Sequence, residues 1–362
     1  MLRYLRNIGL AGLVGLCVAV IYYVLESSYV AAIKWLWLDT LNTTTHRLLV
    51  IPLAVILAVL YFWVLRTLDP KPEKREGLLS VPHDVSFKRI LFILIIGFFS
   101  MFAGASLGPE AILFPACLIA GALVSKDWAD KNDRQLITLS AVTALFTAFF
   151  GSFWVGVLTI LLLYKQFKDR LPELIAYNVI ACGVTLFTLR EIFHKPAFVG
   201  IPKLYAFSLN EIAGIVVLLV LGMLATYWLR ASFKAWEYVY SYMQKWQWIV
   251  LAAGSGLVLG LVYFFGNPLI EFTGNHSIEP MLQQAPGLGV LGLIGILLMK
   301  NIAIAWSRVS GYRGGMIFPT IFVAFTLVAL VQQMGLHVNL AIGVVAALIG
   351  IFFAGRGTHI FE

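Results

Sequence analysis

The sequence predicts an all-α integral membrane protein made of tilted and partly inserted helices in two related halves. Three observations carry that prediction. First, 60% of the 362 residues are apolar or aromatic and only 12% are charged, about half the charged share of a soluble domain, which argues against a water-soluble enzyme. Second, the apolar positions form long runs separated by short charged loops. There is room for about ten or more segments crossing roughly 30 Å of hydrocarbon, and for no sizeable soluble domain. Third, the chain resembles itself at a fixed offset.

Taken in order, Arg3 and Arg6 precede an apolar run over residues 8–25. No small-residue cleavage pattern follows, so this reads as a retained helix with its basic end in the cytoplasm. A second run, 48–65, ends at a loop over 66–89 that holds Arg66, Lys71, Lys74, Arg75, Lys88 and Arg89. The positive-inside rule places that loop in the cytoplasm too, and two crossings between them make the assignments agree. Further apolar segments cover 90–107, 111–124, 136–150, 153–163, 174–189, 212–229, 248–265, 288–299, 316–331 and 338–353. Several are too short to span, and broken helices are tolerated only where protein or a water-filled cavity satisfies their backbone. Cys17, Cys117 and Cys182 all lie in apolar runs, which suits buried thiols better than a disulfide or metal cluster.

Shifting the chain by 204 positions sets Phe114-Pro115 on Phe318-Pro319, Gly151 on Gly355, Phe149 on Phe353, Ser28 on Ser232 and Ala31 on Ala235. Each match is weak alone, but their common offset indicates duplication. The whole chain, 1–362, is then one transmembrane domain with a first repeat at 8–170 and a second at 171–362, incomplete at its end. Transporters built from two membrane repeats place the substrate at the repeat interface.

The chemistry concentrates in two glycine turns, one over 104–112 and one over 310–319. Glu110 is the sole charged residue from Ile90 through Ser125, and an intramembrane carboxylate is a functional candidate by default. It follows Gly108-Pro109 and precedes Ala111 and Ile112, the expected place for a helix N-terminus. Backbone N–H groups and the positive end of the helix dipole make that place an anion site. A tethered carboxylate competes there with a soluble anion, occupying the site when ionised and leaving when protonated, so Glu110 is candidate gate and proton acceptor. The second turn offers the same physics without an acid. Gly314 and Gly315 free the backbone, and the N–H groups of Met316, Ile317 and Phe318, ahead of Pro319, are candidate anion donors.

These residues resemble the CLC chloride channels and proton-coupled chloride transporters. Gly108-Pro109-Glu110-Ala111 is similar to the family's Gly-Arg/Lys-Glu-Gly turn with its gating glutamate, and Gly315-Met316-Ile317-Phe318-Pro319 is similar to its Gly-x-Phe-x-Pro turn. The resemblance covers roughly residues 8–355. It implies a CLC-like bundle in two inverted repeats, a homodimer with a separate pathway in each subunit, and transport of chloride or another small inorganic anion, with protons in the exchangers. The departures are specific. Where the family has a serine-bearing filter turn, this chain reads Lys71 to Pro82, with Ser80 near its end. The phenylalanine of the second turn is displaced by one, to Phe318. Leu162 or Leu163 stands where exchangers carry an inner proton-relaying glutamate, and the family's terminal helix has no counterpart.

The expected function is therefore anion transport in a cell membrane by a multi-pass protein with a cytoplasmic N-terminus, as a Glu110-gated proton-coupled exchanger or, alternatively, a passive channel. A non-functional truncated product is a further reading. An intramembrane hydrolase rests only on Gly104-x-Ser106-x-Gly108 and on His276 and His337. That pattern needs a strand, a turn and a helix, whereas here it ends an apolar helix, and the histidines lack partners at metal-ligand spacing. No enzyme activity, metal, cofactor or nucleic-acid partner is expected. Lys300, Arg308 and Arg313 are candidates for drawing anions to a vestibule, and contacts to lipid headgroups explain them equally well. Trp236, Tyr238, Tyr240, Tyr242, Trp246 and Trp248 are expected to form an interfacial belt.

Overall fold

The computed structural model describes residues 2–38, 47–70, 82–200, 202 and 208–356. Positions 71–81, which carry Lys71, Lys74, Arg75 and Ser80, lie outside the described residues, as does Glu362. The described helices are α1 (Leu2–Ile33), α2 (Val50–Leu68), α3 (Phe87–Phe102), α4 (Glu110–Ser125), α5 (Lys131–Phe150), α6 (Phe153–Leu158), α7 (Ile160–Phe167), α8 (Leu171–Phe187), α9 (Ile212–Met243), α10 (Trp248–Phe265), α11 (Ile278–Val309), α12 (Ile317–Gln333) and α13 (Leu340–Gly355). Among the described residues, six helical stretches are long and apolar enough to cross a membrane: Leu2–Trp37, Arg47–Leu68, Lys168–Ile192, Leu209–Met243, Trp248–Phe265 and Asn275–Val309. Three apolar helices, α4, α12 and α13, are shorter, in keeping with the partly inserted segments expected from the run lengths. At 1.5 Å per residue a 16-residue helix reaches only about 24 Å.

The chain forms two compact units that interleave in sequence. One comprises Met1–Val30, Leu68–Phe98 and Glu110–Gly200, and the other Ala31–Thr67, Phe99–Pro109 and Ile201–Glu362. In the first, α4 packs on α5, and α5 on α6 and α8. Residues Ile112 to Gly121 of α4 are buried without interruption, so this helix is apolar all round because it has no solvent face. The start of α5 is held by Asp133, 1% exposed. Its carboxylate accepts from Arg3 Nε at 2.9 Å, from Asn7 Nδ2 at 2.6 Å and from the Arg170 guanidinium. Burial pushes that carboxyl up, but the Arg170, Arg3 and Asn7 hydrogen bonds outweigh it and hold it below its ordinary value.

In the second unit α9 packs on α11, α12 and α13, and α12 packs on both α11 and α13. Every residue from Phe318 to Val331 is buried, which makes α12 the core of this unit. Gly222 of α9 lies on the Ala347 carbonyl of α13, and Gly350 of α13 on the Leu219 carbonyl of α9. A side chain at either position would force these helices apart. The apolar run 288–299 proves to be the middle of a longer element, because the polar groups that end it are satisfied inside. Asn301 Nδ2 donates to the Leu297 carbonyl at 3.0 Å, and Lys300 finds the carbonyls described below. Within α11 the helix breaks at Gly289 (φ 62, ψ −174), three residues after Pro286.

The expected aromatic belt is split. Tyr238, Tyr242 and Trp246 are exposed, but Trp236 packs edge-on against the fully buried Trp306, ring centroids 4.8 Å apart. Tyr240 donates to the Ser310 carbonyl at 3.2 Å. These two positions lie on the face of α9 that meets α11, so helical phase and not composition decides their role. Cys117 and Cys182 are buried, Cys17 is half-buried, and all three are free thiols.

Candidate functional site

Both glycine turns belong, up to Pro109, to the second unit, and the structure hydrogen-bonds them to each other. The Gly108 N–H donates to the Gly315 carbonyl at 2.7 Å, and the Gly315 N–H to the Gly108 carbonyl at 2.7 Å. This two-residue antiparallel clasp is the isolated bridge of the described residues. It requires Gly314, where an added Cβ would lie 2.5 Å from Leu107 Cβ and 3.0 Å from the Gly108 carbonyl oxygen. The N–H groups of Gly108 and Gly315 are thus spent on the clasp. Pro109 and Pro319, both buried, have no N–H to offer.

The first turn is buttressed along its length. Tyr263 donates its hydroxyl to the Gly104 carbonyl at 2.6 Å, the Ser106 N–H reaches Ser307 Oγ at 3.0 Å, and the Thr273 hydroxyl donates to the Leu107 carbonyl at 2.8 Å. Ser106 Oγ itself donates to the Phe272 carbonyl at 3.1 Å. Phe272 has φ 54, a conformation uncommon outside glycine that turns its carbonyl toward this junction. The same carbonyl accepts from Lys300 Nζ at 2.5 Å, and Ile270 accepts from that ammonium at 3.0 Å. Lys300 is fully buried and sits 5.2 Å from the centroid of the Phe322 ring. The vestibule role expected of Lys300 is therefore corrected: an ammonium held by two carbonyls and a ring face braces the turn.

Beside Lys300 lies Glu271, whose carboxyl burial pushes up to about 7 against the opposing pull of Arg47 and Lys300. Arg47 Nε donates to the Phe264 carbonyl at 3.2 Å, and its guanidinium also reaches Gly266. A cation there closes the carbonyl end of α10. The second turn is fixed by Tyr61, which donates to the Gly311 carbonyl at 3.0 Å and stacks on Tyr312 at 5.0 Å between centroids. From it α12 starts at Ile317. Met316 and Phe318 are buried, 4% and 1% exposed, and Ile317 is half-buried.

Glu110 opens α4 in the first unit and is 2% exposed. Its carboxylate stands in the first turn, where the helix dipole favours negative charge. Ala111 follows half-buried and Ile112 buried, the latter against Gly97 of α3. Leu163 is completely buried, and the Leu162 side chain lies outside the described residues. Among the described residues no three His, Cys, Asp or Glu side chains gather as metal ligands.

Reading the sequence found both turns and Glu110 but not their braces. Tyr263, Phe272 and Thr273 lie in or beside a loop with no motif, and the one available signal was a lysine inside an apolar run. A second missed group is Tyr22, Glu26 and Tyr29, whose four- and three-residue steps mark one helix face.

A family model described as voltage gated chloride channel matches residues 55–356. Among curated proteins, the chain is 24% identical over 288 residues to "Putative ion-transport protein YfeO" of Shigella flexneri and to the protein of that name from Escherichia coli strain 55989. These matches cover 76% of this chain and 65% of each relative, so the chain matches slightly less than two thirds of their length. Among solved structures, a slow cyanobacterial Cl−/H+ antiporter superposes with a TM-score of 0.72 at 16% identity, over 98% of this chain and 96% of that one. A CLC-type fluoride/proton antiporter gives 0.64 at 14% identity, over 98% and 89%. A eukaryotic CLC transporter gives 0.66 at 13% identity, over 100% and 73%. With the family model spanning most of the chain and the helical fold shared with these transporters, the chain belongs to the voltage-gated chloride channel family.

Proposed function

We propose that this chain moves a small inorganic anion, chloride first, across a cell membrane in exchange for protons, with Glu110 as gate. The observation that carries this reading is the clasp between Gly108 and Gly315 at 2.7 Å in both directions. Two turns singled out separately in the sequence are tied to one another, and the acid of the first follows two residues after the clasp. Because the clasp consumes two glycine N–H groups, the donors assigned to the anion are the backbone N–H groups of Ala111 and Ile112 at the start of α4 and of Met316, Ile317 and Phe318 at the start of α12. Gly108, Pro109, Gly315 and Pro319 shape the turns. Ionised, Glu110 holds its own helix start against the anion; protonated, it no longer competes, and the anion replaces it.

The proposal includes a homodimer, a cytoplasmic N-terminus and a duplication relating 8–170 to 171–362. In support of the last, Phe114-Pro115 and Phe318-Pro319 both fall near the starts of short buried helices. A passive channel is the second reading, favoured by the buried, apolar Leu163. The hydrolase reading draws no support from Ser106, whose hydroxyl donates to the Phe272 carbonyl at 3.1 Å.

The test is anion efflux from liposomes holding the purified protein, with external pH recorded simultaneously, for wild type and Glu110→Gln. Proton uptake driven by an anion gradient and lost in Glu110→Gln is the expected result. Efflux without proton movement selects the channel. No efflux of chloride, nitrate or fluoride removes the transport reading.

A further inference from the structure

Where α1, α5 and α8 begin, the first unit holds a cavity of about 490 Å³, a size within the roughly 300–1,000 Å³ of ordinary ligand sites. Arg3, Tyr4 and Asn7 line it from the start of α1 and Asp133 from the first turn of α5, while Arg170 just precedes α8 and Glu173 and Tyr177 belong to it. None of these residues belongs to the two glycine turns. Asn7 donates its Nδ2 to Asp133 at 2.6 Å and to the Tyr177 hydroxyl at 3.1 Å, which fixes the amide and leaves its Oδ1 as an acceptor. That oxygen is buried without a hydrogen-bond partner in the protein, on a residue 1% exposed. A buried acceptor in this state calls for a donor from outside the chain.

Glu173 supplies a second acceptor, a carboxylate 33% exposed and 3.6 Å from the Arg170 guanidinium. The Tyr4 and Tyr177 rings, 6.2 Å apart between centroids, offer faces that attract a cation. For an anion there are Arg3 and Arg170. Their contacts to Asp130, Asp133 and Glu173 use Nε and one Nη of Arg3 and one Nη of Arg170, and the remaining N–H groups of both are donors. Two guanidiniums against two carboxylates leave the walls without net formal charge, so they match a molecule carrying both signs better than a bare anion or cation. The place of the cavity in the fold adds a third requirement. Both α1 and α8 lie in stretches long and apolar enough to cross a membrane, Leu2–Trp37 and Lys168–Ile192, so their first turns stand at headgroup level. Leu2, Leu5 and Ile175, close in sequence to the lining residues, are exposed and give acyl chains an apolar rim.

We propose that this cavity binds a phosphoethanolamine group, a phosphate joined to a primary ammonium, carried by a membrane phospholipid. The ammonium donates to Asn7 Oδ1 and to the Glu173 carboxylate, and the phosphate oxygens accept from Arg3 and Arg170. Choline, whose nitrogen is fully methylated, has no N–H to give Asn7, and a glycerol headgroup has no cation for Glu173.

The test is native mass spectrometry of the full chain titrated in detergent with phosphatidylethanolamine, phosphatidylcholine and phosphatidylglycerol, for wild type, Glu173→Gln and Asn7→Ala. Wild type is expected to bind phosphatidylethanolamine about tenfold or more tightly than the other two, and both variants to lose that preference. Equal binding of the three lipids, or a preference that survives Glu173→Gln, overturns the proposal. Soluble O-phosphoethanolamine is then titrated against the bound lipid. Failure to displace it supports the lipid, whereas displacement at the lipid's own affinity keeps the headgroup site and overturns the membrane as its source. Should Asn7→Ala fail to purify as a monodisperse protein, Glu173→Gln decides, since that partly exposed side chain loses its charge without stripping Asp133 of its partners.

Discussion

Lys300 in the second unit and Glu26 in the first are charges buried in apolar helices, at 0% and 4% exposure. Around Lys300 the polar groups are matched: two carbonyls receive the ammonium, one of them also receives Ser106, and the Phe322 ring covers its flank. Around Glu26 the ion pair with Lys195 is matched but the adjoining tyrosine hydroxyls are not. The difference teaches that burial of a charge does not by itself mark a working group. A fully satisfied network rigidifies, whereas a partly satisfied one leaves buried polar groups that only water can meet.

The largest effect that would break this comparison is at Lys300. Replacing it with Met strands the Ile270 carbonyl and leaves the Phe272 carbonyl with Ser106 alone, and a loss of roughly 2–5 kcal/mol is expected, read as lowered thermal stability in detergent. A Lys300→Met protein as stable as wild type would show that the Ile270 and Phe272 carbonyls need no ammonium to hold the turn. Next is Gly314→Ala, whose Cβ meets Leu107 and the Gly108 carbonyl. Overpacking of roughly 1–3 kcal/mol is expected, with chloride flux reduced because the clasp opens. Gly287→Ala, with nothing within 4 Å of the added Cβ, is the matched control and leaves flux unchanged.

The third prediction concerns Glu271, beside Lys300. Its folded-state carboxyl is raised to about 7, so folding favours the neutral form. The stability this contributes is full below the unfolded value of about 4.3 and is lost as pH rises toward 7. Glu271→Gln should therefore match wild type near pH 4 and gain on it by roughly 3 kcal/mol by pH 8, measured as the difference in melting temperature across that range. A flat difference would mean that Lys300 and Arg47 keep the carboxylate charged throughout. The smallest effect is Ser106→Ala, about 1 kcal/mol for one hydrogen bond to a carbonyl that Lys300 still satisfies. Its chloride flux should equal wild type, and a loss of flux would reopen the role of that hydroxyl.

Much of the fold was legible because a membrane solvent imposes simple rules. Length of apolar run, scarcity of charge and the Gly-Pro-Glu and Gly-Gly turns identified the short buried helices α4 and α12 and the residues opening them. The boundaries of α11 were not legible. Its apolar run stops at Lys300 and Asn301, and only tertiary partners keep those polar side chains inside a helix. Trp236 and Tyr240 were misassigned for a related reason, since an aromatic residue reads alike whether its face of the helix meets lipid or a neighbouring helix. Glu26 was passed over as the end of a run because, in a string of letters, a carboxylate near a run's edge resembles an ordinary boundary charge.

What the sequence determined by itself is the solvent and the architecture: an all-helical membrane protein of this family, with an acid at one helix start and none at the other. Hydrophobic burial and the helix dipole are local enough to be read from spacing. Only the tertiary structure decided that Gly108 and Gly315 clasp one another, that Lys300 braces the turn from 192 residues further along the chain than Gly108, and that two tyrosine hydroxyls stay unmatched beside Glu26. Hydrogen bonds are short-ranged and directional, so their pairing depends on which distant backbones meet.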